Sequence, residues 1–194
     1  MERSYILHMF TPGKQMSPFD INMAVDAGYQ VVVPYCGVTL DEITGLTQDA
    51  IFSRGPKGVK ATGIFIGGRD VILAADMLDA ARKAMVPPFE VSVIADPSGS
   101  YTTAAALVAC VEQVLRSAHG TDFAGKEVLI LGGTGTVGRI AGVLAAGLGA
   151  RVTLASHRDQ ANAEKAAAET AARFGCELRG AGTGSAEARR AALS

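Results

Sequence analysis

The segment KEVLILGGTGTVGRIAG, residues 126–142, constrains this chain more than any other. A continuously apolar run, a cluster of glycines and an apolar helical pattern follow one another without a spacer, which predicts strand, tight turn and helix. Gly133, Gly135 and Gly138 stand in a GxGxxG pattern at the junction. The three glycines are expected to differ in role. Gly133 would make the tight turn, Gly135 would let a pyrophosphate approach the backbone, and Gly138 would let helix pack closely on strand. A dinucleotide would rest its pyrophosphate on the helix start, where unpaired N–H groups and the helix dipole favour an anion. Gly133, Thr134, Gly135, Thr136, Val137 and Gly138 are the residues expected to hold it. Taken alone the pattern is weak, because glycines also gather in ordinary turns. A second strand at Arg151–Ala155 follows at the right distance and completes a strand–turn–helix–strand unit over residues 126–158.

The end of that second strand bears on which dinucleotide fits. NAD sites place an acid there, roughly 20 residues past the turn, to accept hydrogen bonds from the ribose 2′-hydroxyl. This chain reads Ser156, His157, Arg158, with Asp159 next. A hydroxyl, an imidazole and a guanidinium suit a 2′-phosphate, so NADP is the expected cofactor and some use of NAD stays open. Arg158 could also be an ordinary solvated loop residue.

Apolar runs elsewhere alternate with helical patterns, the mark of an α/β fold with parallel strands. Strands are expected at Tyr5–Phe10, Gln30–Tyr35, Thr62–Gly67, Phe89–Ala95 and Glu127–Gly132, with a last short one at Cys176–Leu178. Helices are expected at Ser17–Ala27, opened by a Ser-Pro start, at Asp70–Met85, stopped by Pro87-Pro88, at Ser100–Ala118 and at Gln160–Phe174. The polar, glycine-containing stretch 119–125 reads as a boundary between an α/β domain over 1–120 and a dinucleotide domain over 121–194. A complete dinucleotide domain has two mononucleotide halves. Only the first is visible here, so the chain is expected to be C-terminally truncated.

Composition closes off other classes. The formal net charge of −1 offers no general attraction to nucleic acid or to anionic membranes. Three cysteines without CxxC spacing argue against a disulfide framework or a zinc site, and favour a reducing cytoplasm. No basic segment precedes an apolar run at the N-terminus, and no stretch reaches the about 18 apolar residues of a membrane span. There is no GxSxG, no HExxH and no convincing Cys–His pair, so hydrolytic and metal chemistry find no support.

Two segments in the first domain are too particular for plain connections. TPGKQMSPFDIN, residues 11–22, runs from a strand end into a helix, at the sheet edge where open α/β sheets bind ligands. Lys14 and Asp20 are its charged members, though a first-turn acid can equally serve the helix dipole. ADPSGSYTTAAA, residues 95–106, gathers Asp96, Ser98, Gly99, Ser100, Thr102 and Thr103, which could bind a polar heterocycle or cap the helix. Arg54 and Lys57 form a basic loop. His8 reads as a core histidine on an apolar strand, and His119 as a boundary residue.

Together, ILHMFTPGKQMSPFDINMAVDAGY, LTQDAIFSRGP, TGIFIGG, VPPF, ADPSGSYTTAAA and GGTGTVG resemble the NAD(P)-dependent methylene-tetrahydromethanopterin dehydrogenases of methylotrophic bacteria, including their methylene-tetrahydrofolate-active relatives. The resemblance spans nearly the whole chain, and SPFD combined with DPSGSYTT is its most specific part. It implies oxidation of the methylene group bridging N5 and N10 of a reduced pterin one-carbon carrier, with direct hydride transfer to NADP. The pterin nitrogens stabilise the cation formed, so no protein base is implied and no catalytic residue is assigned. Asp20 and the segment Asp96–Thr103, with Lys14, become substrate-binding residues on this resemblance. A homo-oligomer is the expected assembly. Family members continue past the last residue here, which leaves open another reading, an inactive module that binds only NADP or pterin. A different two-domain NADP oxidoreductase fits less well, because SPFD and DPSGSYTT have no place in it.

Overall fold

The computed structural model describes residues 3–193, which pack as two compact α/β units dividing between Ser98 and Gly99.

In the first unit the apolar runs become four parallel strands: β1 (Ile6–Thr11), β2 (Val31–Cys36), β3 (Thr62–Ile66) and β4 (Ser92–Ala95). Their order is β2-β1-β3-β4. Parallel neighbours need helical crossovers, and these cover the sheet. Helix α1 (Pro18–Asp26) joins β1 to β2, and its Ala24 and Ile21 pack with Leu7 and Met9 of β1, Met16, Val32 and Phe65. Ser17 occupies the N-cap of α1 as expected, with Pro18 behind it, but its hydroxyl makes no capping bond. The stretch between β2 and β3 holds α2 (Ile43–Phe52) and the single turn α3 (Gly55–Gly58), and α4 (Val71–Ala84) leads to β4. Asp70 caps α4, accepting from the N–H groups of Ile72 (2.9 Å) and Leu73 (3.1 Å).

Helix α2 has no counterpart among the sequence-based expectations, and its residues explain why. It contains Gly45 and two threonines, and its N-cap Glu42 makes no side-chain capping bond, so local propensity is poor. What fixes it is burial of Ile43, Thr47, Ala50 and Ile51. Each large apolar side chain buried there is worth about 1.5–3 kcal/mol, more than the propensity deficit of one glycine, about 1 kcal/mol.

The second unit opens with α5 (Ser100–His119), which packs on α6 (Thr136–Gly147). The sequence-based boundary at residue 120 left α5 with the first domain; the packing groups it with the second. Strands β5 (Glu127–Ile130), β6 (Arg151–Ser156) and β7 (Leu178–Gly182) are parallel in the order β5-β6-β7. That is the order of one half of a doubly wound nucleotide-binding sheet. Helices α7 (Gln160–Phe174) and α8 (Ala186–Leu193) complete the unit. Among the described residues no helix is long and apolar enough to cross a membrane.

β7 lies later than the expected Cys176–Leu178, over a sequence, LRGAG, with no strand signature. The glycines are there because α7 lies directly on the strand. A Cβ on Gly180 would stand 2.4 Å from the backbone of Ala163 and Glu164, and one on Gly182 would stand 2.7 Å from Gln160 N. The Gln160 amide then bridges the strand, donating to the Gly180 carbonyl (2.9 Å) and accepting from Gly182 N–H (2.7 Å).

The substitution Gly180→Ala is therefore expected to destabilise the second unit by about 1–3 kcal/mol through overpacking against backbone that cannot rotate away. Urea unfolding followed by circular dichroism checks this; a neutral change would show that α7 slides freely on β7.

Candidate functional site

Residues 130–138 are arranged by the space their glycines leave. Gly132 carries the left-handed backbone of the turn, with φ +71°. The tight turn expected at Gly133 thus belongs to its neighbour. Gly133 instead lets the turn lie on β6: a Cβ there would be 2.7 Å from Ile130 O and 2.7 Å from Leu154 Cα. Its N–H donates to Ala155 O (2.9 Å) and Ile130 O (3.0 Å). Gly138 packs the helix on the turn as expected, since a Cβ would reach 2.7 Å from Gly132 O and Gly133 Cα. Gly135 is the N-cap of α6, and a Cβ on it would meet only Gly132 O, at 3.3 Å. Thr136, Val137 and Gly138 form the first turn, where N–H groups lack intrahelical acceptors and the dipole is positive. Open backbone at Gly135 beside those donors fits a pyrophosphate. Thr134 precedes it, its carbonyl accepting from Arg139 Nε at 3.3 Å.

At the end of β6, Ser156 is buried and its hydroxyl is engaged, donating to Asn162 Oδ1 (2.9 Å) and accepting from Arg158 N–H (3.2 Å). His157 and Arg158 are exposed beside it. The Asp159 carboxylate accepts from Asn162 N–H at 2.7 Å and caps α7, so it is directed at the protein's own helix. Asn162, Gly132 and Thr183, which shape this site, carry no motif of their own in the sequence; the doubled Gly132-Gly133 was the one available signal.

In the first unit the chain leaves β1 towards β2 on one side while β3 lies on the other, which makes the carboxyl edge between β1 and β3 a topological switch point. Backbone bonds tie the loops there. Thr11 Oγ1 accepts from Gly13 N–H (3.1 Å), and Gly13 O accepts from Gly37 N–H (2.8 Å). Gly67 N–H donates to Phe10 O (2.9 Å), and Asp96 N–H to Ile66 O (3.0 Å). Asp20, in the first turn of α1, lies over this edge: a Cβ on Gly67 would stand 3.7 Å from Asp20 Oδ2 and 3.3 Å from Met16 Sδ. Burial, and then the charge of Asp96, push the Asp20 carboxyl above its usual range. Ser98 adopts a left-handed backbone (φ 55°, ψ 34°) and donates its hydroxyl to Gly68 O at 2.9 Å. A non-glycine residue held there is strained and over-determined by its surroundings.

The geometry thus brings Asp20, Asp96 and Ser98 to one edge, with Lys14 exposed in the loop after β1. Gly99, Ser100, Thr102 and Thr103 open α5 in the second unit; Gly99 is its left-handed N-cap, Ser100 is buried, and Thr102 Oγ1 donates to Gly99 O at 3.3 Å. His8 Nδ1 lies 3.1 Å from the Tyr35 hydroxyl, and burial, then Arg54, lower its pKa, as suits a core histidine. Arg54 donates to Thr62 Oγ1 (3.1 Å) and Ser4 O (2.9 Å), so it serves the fold. Among the described residues no cluster of three His, Cys, Asp or Glu could hold a metal ion.

Residues 18–98 match the family model described as methylene-tetrahydromethanopterin dehydrogenase, N-terminal. The chain is 49% identical over all its 194 residues to the NAD(P)-dependent methylenetetrahydromethanopterin dehydrogenase of Methylorubrum extorquens, and spans 65% of that protein's length. It is 35% identical over 129 residues to the bifunctional protein MdtA of the same organism, covering 66% of this chain and 43% of that one. A solved structure, the D-mandelate dehydrogenase of Rhodotorula graminis, superposes with a TM-score of 0.33 at 14% identity over 92% of this chain and 61% of its own, a likeness too remote to carry structural detail.

Asp20 binds its proton more tightly in the folded state, so the stability it confers is complete below the ordinary carboxylate range and is lost as pH rises through its raised pKa. Asp20→Asn is accordingly expected to raise Tm at pH 7 by about 1–2 °C, a small step because the group is largely solvated. The gap should close as pH falls into the range where the native carboxyl is protonated. A lower Tm for the variant at pH 7 would contradict this electrostatic assignment.

Proposed function

We propose that the chain is a member of the methylene-tetrahydromethanopterin dehydrogenase family, and that it carries the substrate unit and the adenosine-binding half of an NADP-linked dehydrogenase acting on a reduced pterin one-carbon carrier. The observation that carries the reading is that Asp20 lies over Gly67 and Asp96 is tied to Ile66 at the switch point of one sheet, near enough for the charge of Asp96 to act on the Asp20 carboxyl. A relative 49% identical over the whole of this chain is named for this reaction.

The assigned roles follow from the chemistry each group offers. Asp20 and Asp96 accept hydrogen bonds from the amino and ring N–H groups of a pterin, and so relieve their mutual repulsion. Ser98 supplies a hydroxyl beside them, and Lys14 meets an anionic part of the carrier. No side chain here is asked to move a proton, since the carrier's own nitrogens stabilise the cation that forms when the methylene carbon loses hydride. When bound, the nicotinamide supplies the hydride acceptor. The turn at Gly133–Gly138 orients the pyrophosphate, while His157 and Arg158 flank the ribose with Ser156 bracing their loop.

Hydride transfer is measured at the reduced-nicotinamide absorbance band, with methylene-tetrahydromethanopterin and then methylene-tetrahydrofolate. It is run on this chain and on the chain extended by the residues its longer relative carries beyond the matched stretch. Turnover with either pterin upholds the reading and the rate ratio gives the carrier. NADP binding without turnover in both forms would favour a binding module and overturn the dehydrogenase assignment. Asp20→Asn is expected to raise KM for the pterin about tenfold or more, the worth of one charge-assisted hydrogen bond, without changing KM for NADP.

A further inference from the structure

We propose that Arg189 is a second cationic ligand of the NADP 2′-phosphate and a determinant of cofactor choice; this rests on the cofactor reading above. The sequence points only to the end of β6, where Arg158 stands. The fold brings another segment to the same place. Thr183 donates its N–H (2.7 Å) and its hydroxyl (3.0 Å) to the Ser156 carbonyl, fastening the loop after β7 to the end of β6. Gly184 then lies so close that a Cβ would be 2.8 Å from the Arg158 carbonyl and 3.0 Å from that of His157. Only a glycine lets the two loops touch along their backbones.

Helix α8 starts from this contact. The Ser185 hydroxyl accepts from Ala188 N–H at 3.0 Å, and Arg189, one turn along, reaches back with Nη1 to the Thr183 carbonyl at 3.3 Å. Its guanidinium is thus held by the residue that is itself bonded to Ser156, beside the segment carrying His157 and Arg158. One N–H on a carbonyl leaves the rest of the fork for an anion, and a carbonyl does not neutralise the charge. Neither Arg158 nor Arg189 has an ion-pair partner among the described residues. The nearby acid, Asp159, is drawn to the α7 N-terminus. Two guanidiniums, one from the loop after β6 and one from the first turns of α8, neither in an ion pair among the described residues, would form a receptor for a phosphate monoester. A ribose 2′-hydroxyl would gain little from them, so the effect is confined to NADP.

The test is calorimetric titration of NADP, NAD and adenosine 2′-monophosphate against the native chain, Arg189→Gln, Arg189→Lys and Arg158→Gln, with Tm recorded for each. Arg189→Gln is expected to weaken NADP and adenosine 2′-monophosphate about five- to tenfold, as loss of one exposed charge-assisted contact does, and to leave NAD unchanged. Arg189→Lys should recover part of the loss by keeping the charge. Equal weakening of NADP and NAD would make Arg189 a structural brace and overturn the proposal. Weakening of NADP by Arg158→Gln but not by Arg189→Gln overturns it while leaving the NADP reading intact. If neither variant moves NADP, the 2′-phosphate reading fails along with it.

Discussion

The second unit is built on one contact between backbones, the turn at Gly133 lying on β6 at Leu154 and Ala155. The Gly133 N–H bonds to Ile130 O and Ala155 O at once, and no atom fits between the two segments. Adjacent strands lie about 4.8 Å apart, so this contact fixes the start of α6 about one strand spacing from the end of β6. The donors suited to a pyrophosphate and the residues suited to a ribose substituent are thereby set side by side by backbone packing, before any side chain takes part. A methyl group at Gly133 or Gly138 would part the turn from the strand or the helix, and both halves of the proposed nucleotide site would move together.

The carboxyl edge of the first unit's own sheet is likewise shaped by backbone contacts. Its loops are tied backbone to backbone at Thr11, Gly13, Gly37, Gly67 and Asp96, and the bare surface at Gly67 admits the Asp20 carboxyl. The arrangement is electrostatically unfavourable when nothing is bound, because burial and Asp96 both oppose ionisation of Asp20. A ligand with neighbouring N–H donors removes that penalty as it binds, whereas one bearing acceptors or negative charge adds to it. At the proposed substrate site, two acids held near each other would thus discriminate between ligand classes.

The elements legible in the sequence were those whose signals are local. Continuous apolar runs marked β1, β3 and β5, and GGTGTVG marked the turn before α6. The Ser-Pro start marked α1 even though Ser17 does not cap with its hydroxyl. What escaped was set by distant packing. Helix α2 is held by Ile43 and Ile51 against its own glycine and threonines, and β7 is a strand because α7 covers Gly180 and Gly182. Helix α5 lies with α6, although its sequence continues smoothly from the β4 end. The tight turn expected at Gly133 falls on Gly132, which shows the limit of pattern reading: GxGxxG says that close approaches exist, and only backbone torsions say where each one falls.

The same limit governs the choice of nucleotide. Counting about 20 residues from the glycine turn arrives near Asp159, and by spacing alone this acid would argue for a ribose 2′-hydroxyl. Its partner in the structure weighs against that reading. Helix α7 begins at Gln160 with N–H groups that need acceptors, and Asp159 meets that need at Asn162 N–H. Asn162 in turn accepts from the Ser156 hydroxyl, which accepts from Arg158 N–H, so one chain of bonds runs from the cap to the loop bearing the guanidinium. An acid used as a cap has less to offer a ribose hydroxyl, and its charge is partly taken up by the helix dipole. In the proposed NADP site, preference would depend less on which residue occupies the end of β6 than on which groups the first turn of α7 has already claimed.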